Sequence, residues 1–87
     1  RLPHMGWNSI KKNKESPLFK NINNDEYFYF CHSYYYKCLK KEDIIAETFF
    51  GSNFASSINF KNIYGIQFHP EKSHDSGANI LKNFSEL

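Results

Sequence analysis

A histidine and a glutamate stand two residues apart at the end of an apolar segment, and this pair is the strongest chemical signal in the sequence. Residues 63–68 predict a short buried strand that ends at His69 and Pro70. Pro70 stops the strand because its ring fixes the backbone dihedral, so Glu71 is able to turn back toward the imidazole. A carboxylate bonded to one ring nitrogen leaves the other nitrogen free to take a proton from a nucleophile. The spacing therefore predicts a general base with its orienting carboxylate, and it also fits a strand-end histidine beside a surface glutamate.

Two cysteines, Cys31 and Cys38, are the only thiols, and neither lies in a typical reactive motif. Their separation fits neither a Cys-x-x-Cys redox pair nor the usual zinc spacing. Neither lies in the Gly-x-Cys-x-Gly turn that exposes a nucleophile. We expect two reduced thiols, with a disulfide or a nucleophilic role as the alternatives.

The distribution of aromatic and apolar residues predicts several strands. Residues 27–36 are the best candidate because aromatic side chains favour a pleated, packed surface. Residues 44–50 and 53–60 read as two strands joined by Gly51 and Ser52, which is typical of a hairpin. The polar segment 11–24 predicts a loop with a short strand near Leu18 and Phe19.

The C-terminal residues predict the one good helix. Ile80, Leu81, Phe84 and Leu87 recur at helical spacing and should form one apolar face. Ser73 or Asp75 is the expected N-cap, and His74 is an ordinary surface residue in this interpretation.

Charge and composition argue against nucleic acid, metals and membranes as partners. The net charge of +2 is too small to indicate a nucleic-acid surface. The tyrosines and lysines of 34–41 are followed at once by acidic residues, which favours a solvated turn. The spacing of the histidines and carboxylates in 69–75 matches no zinc pattern. No apolar run approaches the roughly 18 residues of a membrane span, and no leader segment is recognisable, so we expect a cytoplasmic protein.

The beginning of the chain and its open strand set indicate part of a larger domain. The sequence of 87 residues begins with Arg1 rather than methionine. Several strands with a single helix leave sheet edges unpaired and one sheet face uncovered. We therefore expect residues 1–87 to be one partial α/β domain that is cut upstream.

Three strings resemble the class I (triad-type) glutamine amidotransferases. They are Gly-Ile-Gln-Phe-His-Pro-Glu at 65–71, Pro-His-Met-Gly-Trp-Asn at 3–8 and Phe-Cys-His-Ser-Tyr-Tyr at 30–35. In this order they are similar to the glutaminase subunits of imidazole glycerol phosphate synthases, which supply ammonia for histidine biosynthesis. The resemblance spans nearly the whole chain but only the C-terminal half of the family's domain. It implies mostly strands and hairpins followed by one C-terminal helix.

The resemblance also implies roles at the reaction centre. His69 would be the general base that activates the nucleophile, and Glu71 would orient it. Ser33 and Tyr34 match the segment whose backbone helps to hold the substrate glutamine. No cofactor is implied.

A second group of residues matches the surface that faces the barrel-shaped cyclase subunit of the family. His4, Met5, Trp7 and Asn8 match the region where ammonia leaves the glutaminase. Lys72 matches a basic residue that pairs with a carboxylate of the cyclase.

The sequence departs from the family pattern because the Gly-rich elbow with the nucleophilic cysteine is absent. We therefore expect no glutamine hydrolysis by this chain alone. One alternative is the same chemistry in a paralogue that aminates surface sugars. The alternative of another class is a non-catalytic module that binds a partner or self-associates through open strand edges.

Overall fold

Two antiparallel sheets and a C-terminal helix make up the fold of this chain. A computed structural model describes residues 3–34 and 40–87. The strands are β1 His4–Ser9, β2 Lys11–Lys12, β3 Tyr27–His32, β4 Ile44–Phe50, β5 Ser52–Phe60 and β6 Ile63–Ile66, and the helix is α1 His74–Ser85. Short 3-10 turns lie at Pro17–Phe19, Lys41–Asp43 and Pro70–Lys72. The predicted order of strands and hairpins followed by one helix is confirmed.

The first sheet is the antiparallel pair β1 and β3, in which Trp7 lies opposite Tyr29. Successive side chains of a strand point to opposite faces. In β3 this alternation buries Phe28 and Phe30, whereas Tyr27 on the other face is exposed. One face of the sheet therefore packs on the core, and the other carries Trp7 and the tyrosines.

The second sheet has the strand order β2-β4-β5-β6, with every neighbour antiparallel. The hairpin between β4 and β5 turns at Gly51, whose φ of 77° is a left-handed value that glycine adopts without a steric penalty. This turn was predicted from the Gly51–Ser52 pair. The pairing register between β4 and β5 shifts around Ala46, as it does at a β-bulge.

The segment that follows β6 crosses from the second sheet to the first. Gln67 N–H donates to the Ser56 carbonyl of β5 at 2.9 Å. Phe68 then forms an isolated antiparallel bridge to β3, and His69 N–H donates to the Tyr29 carbonyl at 2.8 Å. The single strand that the sequence predicted is thus divided between the two sheets.

Aromatic rings at this crossing fill the core. Phe68 is 3% exposed and stacks on Phe28 with 4.2 Å between the ring centroids. It also meets the edges of Phe19 and Phe30. The buried cluster consists of Ile10, Leu18, Phe19, Ile22, Phe28, Phe30, Ile45, Ala46, Phe54, Phe68 and Ile80.

The buried face of α1 is not the face that the sequence predicted. Ile80 is buried, but Leu81, Phe84 and Leu87 are 51%, 57% and 51% exposed. The prediction of one apolar face through these four residues is therefore wrong. The helix instead turns a stripe of Gly77, Ile80 and Asn83 towards the protein.

Two residues of that stripe explain how α1 approaches so closely. Asn83 donates from Nδ2 to the carbonyls of Leu18 and Lys20, at 2.9 and 2.8 Å. Gly77 lies against the Pro70 carbonyl, and a Cβ added at Gly77 would be 1.9 Å from that oxygen. Only glycine fits there, because any side chain would push the helix away from the turn.

Other differences from the predicted elements lie in the first third of the chain. β1 and β2 were not predicted as strands. The segment around Leu18 is a 3-10 turn rather than a strand, and Ser16 caps it by accepting from the Leu18 N–H. β3 ends at His32, and residues 35–36 of the predicted strand lie outside the described residues.

No helix in the described part of the chain is long and apolar enough to cross a lipid bilayer. The helix α1 has 12 residues, whereas a span needs about 20.

Replacing Gly77 by alanine should destabilise the fold by at least about 1–3 kcal/mol, the usual cost of overpacking. In an unobstructed helix the same change stabilises by about 1 kcal/mol, so the sign of the effect tests the Pro70 contact. Gly51→Ala is the control, because its added Cβ meets nothing within 4 Å and only its backbone dihedral is strained. The midpoint of urea unfolding measures both, and a Gly77→Ala chain as stable as the original would contradict the packing.

Candidate active site

His69 and Glu71 form a hydrogen-bonded pair where the chain turns away from β3. The Nδ1 atom of His69 lies 3.0 Å from Oε2 of Glu71, and the two side chains are 39% and 61% exposed. An ionised carboxylate only accepts hydrogen bonds, so Nδ1 carries the proton and donates it. The Nε2 lone pair is then available for proton transfer. The 3-10 turn Pro70–Lys72 brings the carboxylate back to the ring, as the two-residue spacing predicted.

Hydrogen bonding keeps the Glu71 carboxylate ionised. The pKa of Glu71 is lowered, first by a bond from its own backbone N–H and then by the bond from His69. Electrostatic interactions with the His69 ring and with Lys72 add to this lowering. The carboxylate therefore accepts from the ring at neutral pH, which is the state that fixes the tautomer of His69.

An aromatic and basic surface adjoins this pair, and we define it by Trp7, Tyr29, Lys72 and His74. The indole of Trp7 stacks on the His74 ring, with 5.3 Å between centroids and 6° between planes. Its edge meets Tyr29 at 5.9 Å. The Lys72 Nζ lies 5.9 Å from the centre of the Tyr29 ring, within cation–π range. One continuous patch therefore joins β1, β3 and the start of α1 beside His69.

Two of the residues predicted to face a partner are accessible on β1. Met5 is 64% exposed and Trp7 is 46% exposed, and alternation along a strand places both on the same face. Lys72 is exposed as well. These positions are available to another protein, and their interface role stays a prediction.

The other two residues of that predicted group lie differently. His4 is 4% exposed and is stacked between Phe30 and Phe50, with centroid distances of 4.6 and 4.2 Å. Asn8 donates from Nδ2 to the Phe49 carbonyl at 2.9 Å and lies 3.3 Å from His4 Nε2. Both side chains hold β1 against β4 rather than facing outward.

Burial changes the proton affinity of His4. Its pKa is lowered, mainly because burial removes water from the ring and secondarily through the charge of His32. The Nδ1 atom of His4 is buried and has no hydrogen-bond partner in the described part of the chain. The neutral form is thus the one that suits this aromatic site.

Ser33 and Tyr34, the predicted substrate-holding residues, follow directly after β3 and are exposed. The His32 ring bonds the Tyr34 carbonyl through Nδ1 at 2.8 Å. Because Tyr29 of the same strand pairs with His69, β3 links this segment to the His69–Glu71 pair. The contact of Ser33 and Tyr34 with glutamine stays a prediction.

The thiol of Cys31 is free and exposed on β3, and Cys38 lies outside the described residues. Among residues 3–34 and 40–87, no three His, Cys, Asp or Glu side chains lie close enough to bind a metal ion.

Three residues that sequence reasoning did not assign to the site take part in its construction. Tyr29 bonds the His69 backbone, and its register opposite Trp7 was not predictable because β1 was missed. His74, expected to be an ordinary surface residue, stacks on Trp7. Ser73 stands at the N-cap of α1 as expected but makes no capping bond with its side chain.

The whole chain, residues 1–87, matches the family model of Glutamine amidotransferase class-I. Together with the His69–Glu71 pair at a strand end, this match places the protein in a defined class: it belongs to the class I glutamine amidotransferases.

Three curated relatives show the extent of the similarity. It is 51% identical over 88 residues to the imidazole glycerol phosphate synthase subunit HisH of Methanocaldococcus jannaschii, covering 100% of this chain and 44% of the relative. It is 52% identical over 86 residues to the HisH subunit of Buchnera aphidicola subsp. Schizaphis graminum, covering 99% and 43%. The HisH subunit of Leptospira borgpetersenii is 46% identical over 86 residues, covering 99% and 42%. The chain thus spans about two fifths of the length of these relatives.

Removing the His74 ring should expose the indole of Trp7, because the parallel stack covers one of its faces. His74→Ala is expected to shift the Trp7 emission to longer wavelength and to increase its quenching by acrylamide. Trp7 is the only tryptophan, so the tryptophan emission reports on the surroundings of this one indole. Asp75→Ala, an exposed neighbour on the same turn, is the control, and identical spectra from both variants would refute the stack.

The stability of the fold should fall as the pH drops below about 6.5, the ordinary pKa of histidine. The lowered pKa of His4 means that the unfolded chain binds a proton that the folded chain does not, so stability is full above that pH and is lost below it. His4→Phe keeps a ring between Phe30 and Phe50 but removes the titration.

Urea unfolding at pH 7.5 and pH 5.5 checks this dependence on His4. The difference in unfolding free energy between the two pH values should shrink in His4→Phe and persist in the exposed control His74→Gln. An unchanged difference in His4→Phe would contradict the assignment.

Proposed function

We propose that residues 1–87 carry the general base and orienting carboxylate of a glutaminase, as part of a glutamine amidotransferase domain. The intact protein would hydrolyse glutamine to glutamate and ammonia and pass the ammonia to the cyclase subunit of imidazole glycerol phosphate synthase, in histidine biosynthesis. The observation that carries the proposal is the 3.0 Å contact between His69 Nδ1 and Glu71 Oε2. It stands in a chain of the class I glutamine amidotransferase family.

The proposed mechanism uses the two ring nitrogens of His69 for different tasks. Nδ1 donates to Glu71, so Nε2 takes the proton of a cysteine thiol. The thiolate attacks the side-chain amide carbon of glutamine, and His69 then gives the proton to the departing ammonia. Water attacks the remaining thioester and gives a proton to Nε2. The carbon–sulfur bond breaks, glutamate is released, and Nε2 returns the proton to the departing thiolate.

The cysteine of this mechanism belongs to residues outside the 87 of this sequence. The sequence holds no Gly-x-Cys-x-Gly turn, and an exposed thiol on a strand, as at Cys31, lacks the sharp turn that presents a nucleophile. We therefore assign no nucleophilic role to Cys31. A base and a carboxylate within these residues, with the nucleophile elsewhere, would agree with a chain that spans about two fifths of its relatives' length.

The proposed substrate contacts lie at Ser33 and Tyr34. Their backbone follows β3, the strand whose Tyr29 carbonyl holds the His69 N–H at 2.8 Å. Because β3 contacts His69 and leads directly into this segment, a glutamine bound there would have a fixed position relative to His69. Hydrogen bonds from the backbone suit an amino acid because they recognise its polar ends without needing a charged side chain.

The proposed partner surface is the patch of Trp7, Tyr29, Lys72 and His74, extended by Met5. Aromatic and methionine side chains are enriched at the centres of protein interfaces, and Lys72 offers a cation for a carboxylate of the cyclase. His4 and Asn8 would support this surface from inside by fixing β1. Because the patch adjoins His69, ammonia released there would have a short path to the partner.

The roles of His69 and Glu71 are tested in the intact glutaminase subunit assembled with its cyclase subunit. His69→Ala is expected to lower kcat about 10²- to 10⁴-fold, the usual contribution of a general base. Glu71→Gln should lower kcat over the same range, because an amide N–H donates to Nδ1 and shifts the ring proton to Nε2. Release of glutamate is the measurement.

Glu86→Gln is the control for these variants, since Glu86 is an exposed carboxylate at the other end of α1. Full activity of His69→Ala would refute the proposal. The 87-residue chain by itself should release no glutamate, and measurable turnover by it would require a nucleophile within this sequence.

A further inference from the structure

Ser73 connects the strand β3 to the residue proposed as the general base. Its side chain is fully buried, at 0% exposure. Its Oγ accepts a hydrogen bond from Tyr29 N–H at 2.9 Å and donates one to the His69 carbonyl at 2.6 Å. The hydroxyl thus uses both its acceptor and its donor capacity between two main-chain groups that are far apart in sequence.

These bonds close a ring around the backbone of His69. The His69 N–H donates directly to the Tyr29 carbonyl at 2.8 Å. The His69 carbonyl is held through Ser73 to the Tyr29 N–H. Both polar backbone groups of His69 are therefore tied to the same residue of β3, one directly and one through the serine. The Lys72 N–H also donates to the His69 carbonyl at 3.0 Å, so the turn itself closes on the same oxygen.

The position of the Ser73 hydroxyl is fixed by its own main chain. Ser73 N–H donates to the Pro70 carbonyl at 3.1 Å, and the Ser73 carbonyl accepts from Gly77 N–H at 3.1 Å. Gly77 in turn lies against Pro70, where no side chain fits. A serine at the N-cap of a helix usually accepts from the first turn of that helix, and here the side chain makes no such bond. The hydroxyl serves the His69 backbone instead.

We propose that Ser73 is a positioning residue for His69, whose hydroxyl sets the direction in which the imidazole leaves the end of the strand. The inference rests on the proposed function for its catalytic consequence. The ring of His69 is 39% exposed, so its direction depends on the backbone that carries it more than on enclosure by neighbours. Loss of the hydroxyl removes the hydrogen-bond partner of the Tyr29 N–H, and the cost of an unpaired donor favours a shift of the turn.

The first test compares Ser73→Ala with Asn83→Ala in the intact glutaminase subunit bound to its cyclase subunit. Asn83 is the matched control because it is also buried and also donates to main-chain carbonyls, but those carbonyls belong to Leu18 and Lys20 rather than to His69. Ser73→Ala should lower kcat about 10- to 100-fold, the scale of a small displacement of a reacting group, with KM for glutamine unchanged. Asn83→Ala should lower the thermal midpoint comparably while kcat stays at the original value.

A third variant, Ser73→Cys, keeps the size of the side chain and a weak donor, so its kcat should lie between those of the serine and alanine proteins. Equal kcat losses in Ser73→Ala and Asn83→Ala would overturn the proposal, because both would then act through stability. An unchanged kcat in Ser73→Ala would overturn it as well.

The second test separates this inference from the proposed function, because it needs no turnover. Long-range nitrogen–proton NMR correlations of the intact glutaminase subunit report which ring nitrogen of His69 carries the proton. The Nδ1–H form bonded to Glu71 should dominate in the original chain and in Asn83→Ala, and Ser73→Ala should lose that preference. An unaltered His69 signal in Ser73→Ala would overturn the positioning role, whereas an inactive intact subunit with this NMR pattern would overturn only the glutaminase proposal.

Discussion

The pairing of the Phe68–His69 segment with β3 is the interaction on which the rest of the structure depends. It is the place where the chain leaves the second sheet and joins the first, so it holds the two sheets together through main-chain hydrogen bonds. The two residues have different roles. Phe68 packs in the aromatic core, whereas His69 lies at the surface as part of the candidate site. Core and site are therefore fixed by one short stretch of backbone, and neither is able to shift without the other.

Two histidines of the fold show how environment decides what an imidazole does. His4 lies between two phenylalanine rings, where loss of water lowers its pKa and favours a neutral, structural ring. His69 stands half in solvent with an ionised carboxylate at Nδ1. The difference arises from the position of each residue along its strand: His4 points inward from β1, and His69 follows the last paired residue of its segment.

The parts of the fold and site that follow from local pattern were predictable, and those that follow from distant contacts were not. The β4–β5 hairpin, the existence of α1 and the turn that returns Glu71 to His69 all depend on residues close in sequence. The buried face of α1 was mispredicted because Gly77 and Asn83 are not hydrophobic. They are buried because each contacts carbonyl groups of other elements. The contact of Ser73 with Tyr29 joins positions 44 residues apart, so the capping rule assigned that hydroxyl to the wrong partner. β1 was missed because its core-facing positions carry His4, Gly6 and Asn8, which break the apolar alternation typical of a strand.

The close approach of Gly77 to the Pro70 carbonyl has a consequence for how this segment tolerates changes in length. An α-helix turns by about 100° for each residue. Inserting or deleting one residue between positions 74 and 77, inside the helix, would rotate the rest of α1 by that angle, bringing a side chain against the carbonyl in place of glycine. Ile80 and Asn83 would swing out of their sites by the same rotation. The segment therefore tolerates substitutions at its exposed positions but not insertions or deletions.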